Sequence, residues 1–166
     1  MNLTPLKPAN TLKKLPERLI YKSGEDTYKL FSTKTGKYEG MLIARPEFVT
    51  ESGIYPKMKN YWAYYVVHLH AENKEKGAGK YLEKFLRNLA KNDERCQGRV
   101  WLRAFNNYEA NGTGRASSTW WFARGYRGCD KAAQNDLERI LNHQKPKYGD
   151  WYKDMDMYLP VKKNNK

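Results

Sequence analysis

The chain has 166 residues and a formal net charge of +13, with 31 Lys and Arg against 18 Asp and Glu. A hydrophobic content of 40% and an aromatic content of 14% exclude general disorder, and no run approaches the ~20 apolar residues a membrane-spanning helix needs. Two cysteines, Cys96 and Cys129, with no Cys/His cluster, exclude a disulfide framework and a zinc centre.

The length predicts one domain. No apolar h-region follows the basic N-terminus, so no secretory signal is expected. Free thiols fit a cytoplasmic protein. The first 26 residues are Pro- and Lys-rich. There Leu12, Leu15, Leu19 and Ile20 predict a short amphipathic helix interrupted by Pro16, or an N-terminal extension. Strands are predicted over Tyr28 to Thr33 and Lys37 to Ala44, joined by a Thr35-Gly36 turn. Arg45 to Lys59 holds Pro46, Gly53 and Pro56 and reads as a loop.

Trp62 to Leu69 is a continuous apolar and aromatic run, the mark of a central strand covered on both faces. A polar stretch then leads to Gly77-Ala78-Gly79. After it, Ala78, Tyr81, Leu82, Phe85, Leu86, Leu89 and Ala90 recur at helical spacing, with charged residues on the other face. Val100 to Phe105 predicts a strand and Asn106 to Gly114 a polar loop. Ser117 to Arg124 predicts a short helix closed by Gly125. Lys131 to His143 predicts another helix, and the alternation from Trp151 to Val161 predicts a half-buried strand. Residues 27–161 thus form the domain, and residues 162–166 are a basic tail.

The informative unit is strand, polar turn with Gly-x-Gly, then helix. Unpaired N–H groups at a helix N-terminus attract anions, and glycines let a large anion approach the backbone. The turn is not a Walker loop, because Tyr81 follows Gly79-Lys80 and Lys74 stands where the first glycine belongs. It is not a dinucleotide fingerprint either, because Leu82 stands at the third glycine. Lys74-x-x-Gly77-x-Gly79 instead resembles the acetyl-CoA motif of the GNAT N-acetyltransferases, with Lys for the usual Arg or Gln. Trp120-Trp121-Phe122-Ala123-Arg124-Gly125-Tyr126 resembles that family's aromatic helix ending in Gly-Phe or Gly-Tyr.

The resemblance implies an α/β fold of the α+β kind: a central mixed, mostly antiparallel twisted sheet flanked by helices. It implies acetyl-CoA as cosubstrate and direct attack of an amine on the thioester. The backbone of Gly77, Ala78, Gly79 and Lys80 would cradle the pyrophosphate, and Lys74 and Lys76 would add charge. The pantetheine would lie along the strand edge Leu69, His70 and Ala71, where two parallel strands splay. An N–H near Leu69 or His70 would hold the oxyanion. His68 and His70, on one face of the strand, and Glu72 beyond them are the candidate bases. The family's acidic tyrosine position is occupied by Trp121, which becomes a cofactor-wall candidate, and Tyr126 is the tyrosine available instead.

Too few residues precede the Tyr28 hairpin for the first strand and the two helices that build the family's acceptor site. Those helices are therefore shortened, or the loop Arg45 to Lys59 replaces them. The acceptor is an unidentified amine on a small molecule or a protein. The charge of +13, with lysines crowding both ends, adds a ribosome- or tRNA-bound amine as an alternative. A non-catalytic acyl-CoA-binding relative is the other alternative, motivated by Trp121. No metal and no membrane contact are expected, and a homodimer is left open.

Overall fold

A computed structural model describes residues 16–50, 55, 60–72, 77–104, 117–142 and 155–161. Seven strands form one sheet in the order β1-β2-β3-β4-β5-β7-β6. They are β1 (Arg18–Lys22), β2 (Thr27–Ser32), β3 (Tyr38–Val49), β4 (Tyr61–Ala71), β5 (Val100–Ala104), β6 (Arg127–Gly128) and β7 (Met155–Tyr158). The helices are α1 (Ala78–Asn92), α2 (Ser117–Phe122) and α3 (Lys131–Leu141). Every neighbouring pair is antiparallel except β4 and β5. This is the expected mixed, mostly antiparallel sheet with flanking helices.

Helix α1 forms because its apolar stripe has one face to fill. Ala78, Leu82, Leu86 and Ala90 are fully buried against Leu30, Leu42, Val66, Val100 and Leu102 of the sheet. Each buried leucine contributes about 1.5–3 kcal/mol by leaving water. Trp121 of α2, Leu137 of α3, Met155 and Met157 complete the same core. Helix α3 is capped by Asp130, whose carboxylate accepts the Ala133 N–H at 2.7 Å.

The second face of the sheet carries a smaller cluster of Tyr55, Tyr61 and Ala63, with Val49, Trp101 and Tyr158 against it. Tyr55 pins that region. Its hydroxyl accepts the Val100 N–H at 3.0 Å and donates to the Leu159 carbonyl at 2.6 Å.

Three elements differ from the sequence reading. Leu19 and Ile20 lie in strand β1, not in a helix, and Leu12 and Leu15 fall outside the described residues. Pairing with β2 decides this: Ile20 opposes Leu30 and joins the main core. Among the described residues the sheet therefore starts at Arg18, within what the sequence suggests is an extension. Arg45 to Val49 is strand, not loop. Strand β3 outruns β2 there, since the Ala44 N–H already bonds to Asp26. Pro46, two residues on, points its missing N–H to the same unpaired edge and costs no ladder bond. The two-residue strand β6 has no counterpart in the sequence reading. Finally, β1 and β2 are joined by residues 23–26 alone, so no helix separates them.

Candidate functional site

Strand β4 has two different halves. From Tyr64 to Val66 it pairs in parallel with Val100 to Leu102 of β5. Beyond that, β5 continues against β7 through Arg103 and Ala104, while β4 continues against β3 as far as Ala71. No described strand pairs the β5-side edge of Val67–Ala71. The two parallel strands part at this point.

A bulge accompanies the parting. Ile43 pairs with His68 and Ala44 with Val66, which leaves Val67 as the extra residue. It reverses the alternation of β4. Trp62, Tyr64 and Val66 point to the helix-covered face before it, and Leu69 and Ala71 do so after it. His68 and His70 are turned to the opposite face, where both are exposed and their rings stack at 6.1 Å. Without Val67 as an extra residue the histidines would share the face of Val66.

The backbone reverses with the side chains. Tyr64 directs its N–H toward β5, onto Arg99, whereas Glu72 directs its N–H toward β3, onto Glu39. The alternation between them sends the Leu69 and Ala71 N–H groups to the open edge and that of His70 to β3. Of the two oxyanion donors named from sequence, the register therefore favours Leu69. Glu72 lies beside His70, with Oε1 at 3.1 Å from Nε2, and both side chains are about half exposed.

Helix α1 begins at this edge. Gly77 has φ 76°, a left-handed conformation that glycine adopts without strain. The first bond within the helix is the Tyr81 N–H to the Gly77 carbonyl. The N–H groups of Ala78, Gly79 and Lys80 thus lack intrahelical acceptors, and no acidic residue sits in the first turn to compete for them. A Cβ on Gly79 would stand 3.1 Å from Trp120 Cζ2 and 3.7 Å from the Ala71 Cβ. The end of β4, the start of α1 and the Trp120 ring therefore meet at one point. Lys74 and Lys76 lie outside the described residues.

The aromatic helix is placed differently from the sequence assignment. Trp121 is buried in the core, edge-on to Tyr126, and Trp120 is the indole at Gly79. Tyr126 is fully buried, with the Glu83 carboxylate near its hydroxyl. Burial, reinforced by the Glu83 charge, pushes its pKa well above the usual tyrosine range. The predicted loop Asn106 to Gly114 lies outside the described residues. Arg124 carries a signal not read from sequence. Its guanidinium lies 3.5 Å from the centre of the Trp120 ring, and Nη1 donates to the Trp120 carbonyl at 2.8 Å.

No protein-family model matches the chain, and no curated protein matches it in sequence. Solved structures do match in fold. A bacterial toxin is 12% identical, with a TM-score of 0.52 over 80% of this chain, which spans 65% of the toxin's length. The N-acetyltransferase YlbP of Bacillus subtilis, solved with coenzyme A, is 9% identical, covering 82% of this chain and 68% of its own, with a TM-score of 0.47. The NatB acetyltransferase complex bound to CoA is 15% identical, covering 82% of this chain and 74% of its own, with a TM-score of 0.48. Among the described strands the sheet is mixed, with β4 and β5 as its parallel pair, and the toxin shares this fold. At such identities the likeness is one of fold, and the chemistry is argued from the residues.

Proposed function

We propose that the chain is an acetyl-CoA-dependent N-acetyltransferase whose acceptor is an amine. The observation that carries the reading is the edge of β4 that no described strand pairs, ending at a start of α1 that no described side chain caps. An extended pantetheine arm fits such an edge as an added strand would, with hydrogen bonds to Leu69 and Ala71. A pyrophosphate fits the free N–H groups of Ala78, Gly79 and Lys80. Lys74 and Lys76 are proposed to add charge to that cradle. The cosubstrate supplies an activated acyl group. The chain's own residues hold it, orient it and manage protons.

The Leu69 N–H is the proposed oxyanion donor. A hydrogen bond that strengthens as charge develops on the carbonyl oxygen lowers the barrier. His68 and His70 stand on the strand face away from the helices, so the acceptor approaches from that side. A neutral imidazole there takes the proton from the attacking amine, and Glu72 orients the His70 ring. Tyr126 is buried away from solvent and receives no acid role in this scheme. A free thiol has a pKa of about 8.5, so the departing sulfur leaves as thiolate without a dedicated acid.

Calorimetric titration with acetyl-CoA tests the reading. Binding in the micromolar range, lost in Gly79→Trp, is the expected result. At 100 times its dissociation constant the ligand should stabilise the chain by about 2.7 kcal/mol. No heat at millimolar acetyl-CoA, with the chain folded, would overturn it.

A further inference from the structure

Around the α1–α2 contact, two guanidinium groups stand near one carboxylate. Glu83 is buried, and its Oε1 accepts from Arg87 Nε at 2.5 Å. Arg87 also donates to the Arg124 carbonyl. Arg124 itself forms no ion pair with any described carboxylate. Its Nε is buried without a hydrogen-bond partner among the described residues, and its Nη1 is spent on the Trp120 carbonyl. Among the described residues this cluster of Glu83, Arg87 and Arg124 therefore carries a net positive charge, with the Arg124 Nε donor unused. Burial lowers the Arg124 pKa from its ordinary value, as expected where no full counter-charge is present.

The position of this charge gives it a use. The guanidinium is stacked on the Trp120 ring, and the edge of that ring touches the position a Gly79 Cβ would fill. Arg124 is thus carried to the flank of the first turn of α1, where the unpaired N–H groups lie. Lys80 and Lys84, both exposed, extend the positive surface along α1. A guanidinium with free donors recognises a phosphate better than any neutral ligand.

We propose that Arg124, fixed by its stack on Trp120, binds a phosphate group of the acyl-CoA cosubstrate. This rests on the reading of the site given under Proposed function. The phosphate is either the 3′-phosphate or the pyrophosphate, and the ligands below separate them. Arg124 is then a binding residue, and Trp120 positions it.

The test compares dissociation constants of acetyl-CoA, acetyl-3′-dephospho-CoA and acetyl-pantetheine for the wild type, Arg124→Met and Arg124→Lys. Methionine keeps an apolar stem against Trp120 without the charge. The expected result for Arg124→Met is a loss of about 10- to 100-fold for acetyl-CoA, the range of a charge-assisted hydrogen bond, and no loss for acetyl-pantetheine. A loss confined to acetyl-CoA assigns the 3′-phosphate. A loss shared with the dephospho ligand assigns the pyrophosphate. Arg124→Lys should show the same ligand pattern with a smaller loss, and it carries the test if the Met variant does not fold. An equal loss for all three ligands means a structural role and overturns the inference. Unchanged affinity for acetyl-CoA in Arg124→Met overturns it alone. A folded wild type that binds none of the three overturns the cosubstrate reading as well.

Discussion

The two halves of β4 differ in what surrounds them. Tyr61 to Val66 pairs with β3 throughout and with β5 from Tyr64 on, and Tyr61, Ala63, Tyr64 and Val66 are buried. Among the described residues, Val67 to Ala71 keeps β3 on one side and no strand on the other, and exposes Val67, His68 and His70. One strand thus serves as a scaffold at one end and as an open template at the other. The difference is made by a single extra residue and by β5 turning to a new partner. The candidate site is a place where pairing with β5 stops among the described residues, held by a half in which Tyr64 to Val66 have a strand on either side.

Perturbing the paired half should cost stability first. Leu102 is buried and sits opposite Val66. Leu102→Ala should destabilise by about 2–5 kcal/mol through lost burial and a cavity, measured by urea unfolding. Tyr55→Phe should cost about 1–3 kcal/mol, because the buried Val100 N–H loses its acceptor. A Tyr55→Phe variant melting with the wild type would show that the pin is dispensable.

The alkaline limb of stability should also report on the paired half. Burial raises Tyr64 to about 12 and Cys96 to about 12, with burial the largest cause for each. Both groups are held neutral in the fold and ionise more easily when unfolded. Their contribution is complete below their unfolded pKa values, about 8.5 for the thiol and about 10 for the phenol. It is lost as pH rises from there toward 12. A melting temperature that stays level from pH 7 to about 8.5 and then falls is expected, with a shallower fall in Cys96→Ala.

The open half should behave in the opposite way. His70→Gln sits on an exposed position and should change stability by less than about 0.5 kcal/mol. Its turnover should fall by about 10²- to 10⁴-fold if the imidazole is the base. Retained turnover would move the base to His68 or to solvent. His68→Gln measured beside it separates those two.

Much of this architecture is legible in the residues themselves. The apolar run of β4, the amphipathic stripe of α1 and the Gly-x-Gly between them are local patterns, and each maps onto the element it predicts. The stop at Gly125 is local too: its φ of 98° closes α2, with the Gly125 N–H on Phe122. Other features resist reading because their cause is distant along the chain. Leu19 and Ile20 suit a helix or a strand, and pairing with β2 chooses. Pro46 reads as a break unless the length of β2 is known. Trp120 and Trp121 are adjacent in a six-residue helix, too short for periodicity to say which indole faces the core.

The anion-receptive start of α1 follows from the sequence alone, since Gly77, Gly79 and the absence of an acid in the first turn are properties of a few consecutive residues. So does the histidine pair at i and i+2. Tertiary contacts decided which way that pair faces, through the bulge at Val67, and which backbone N–H groups meet the open edge. They also brought Arg124 and Trp120 beside Gly79. These outcomes depend on register and on contacts between β3, β4, α1 and α2. Such pairings are settled by long-range packing, where one residue of slip exchanges the two faces of a strand.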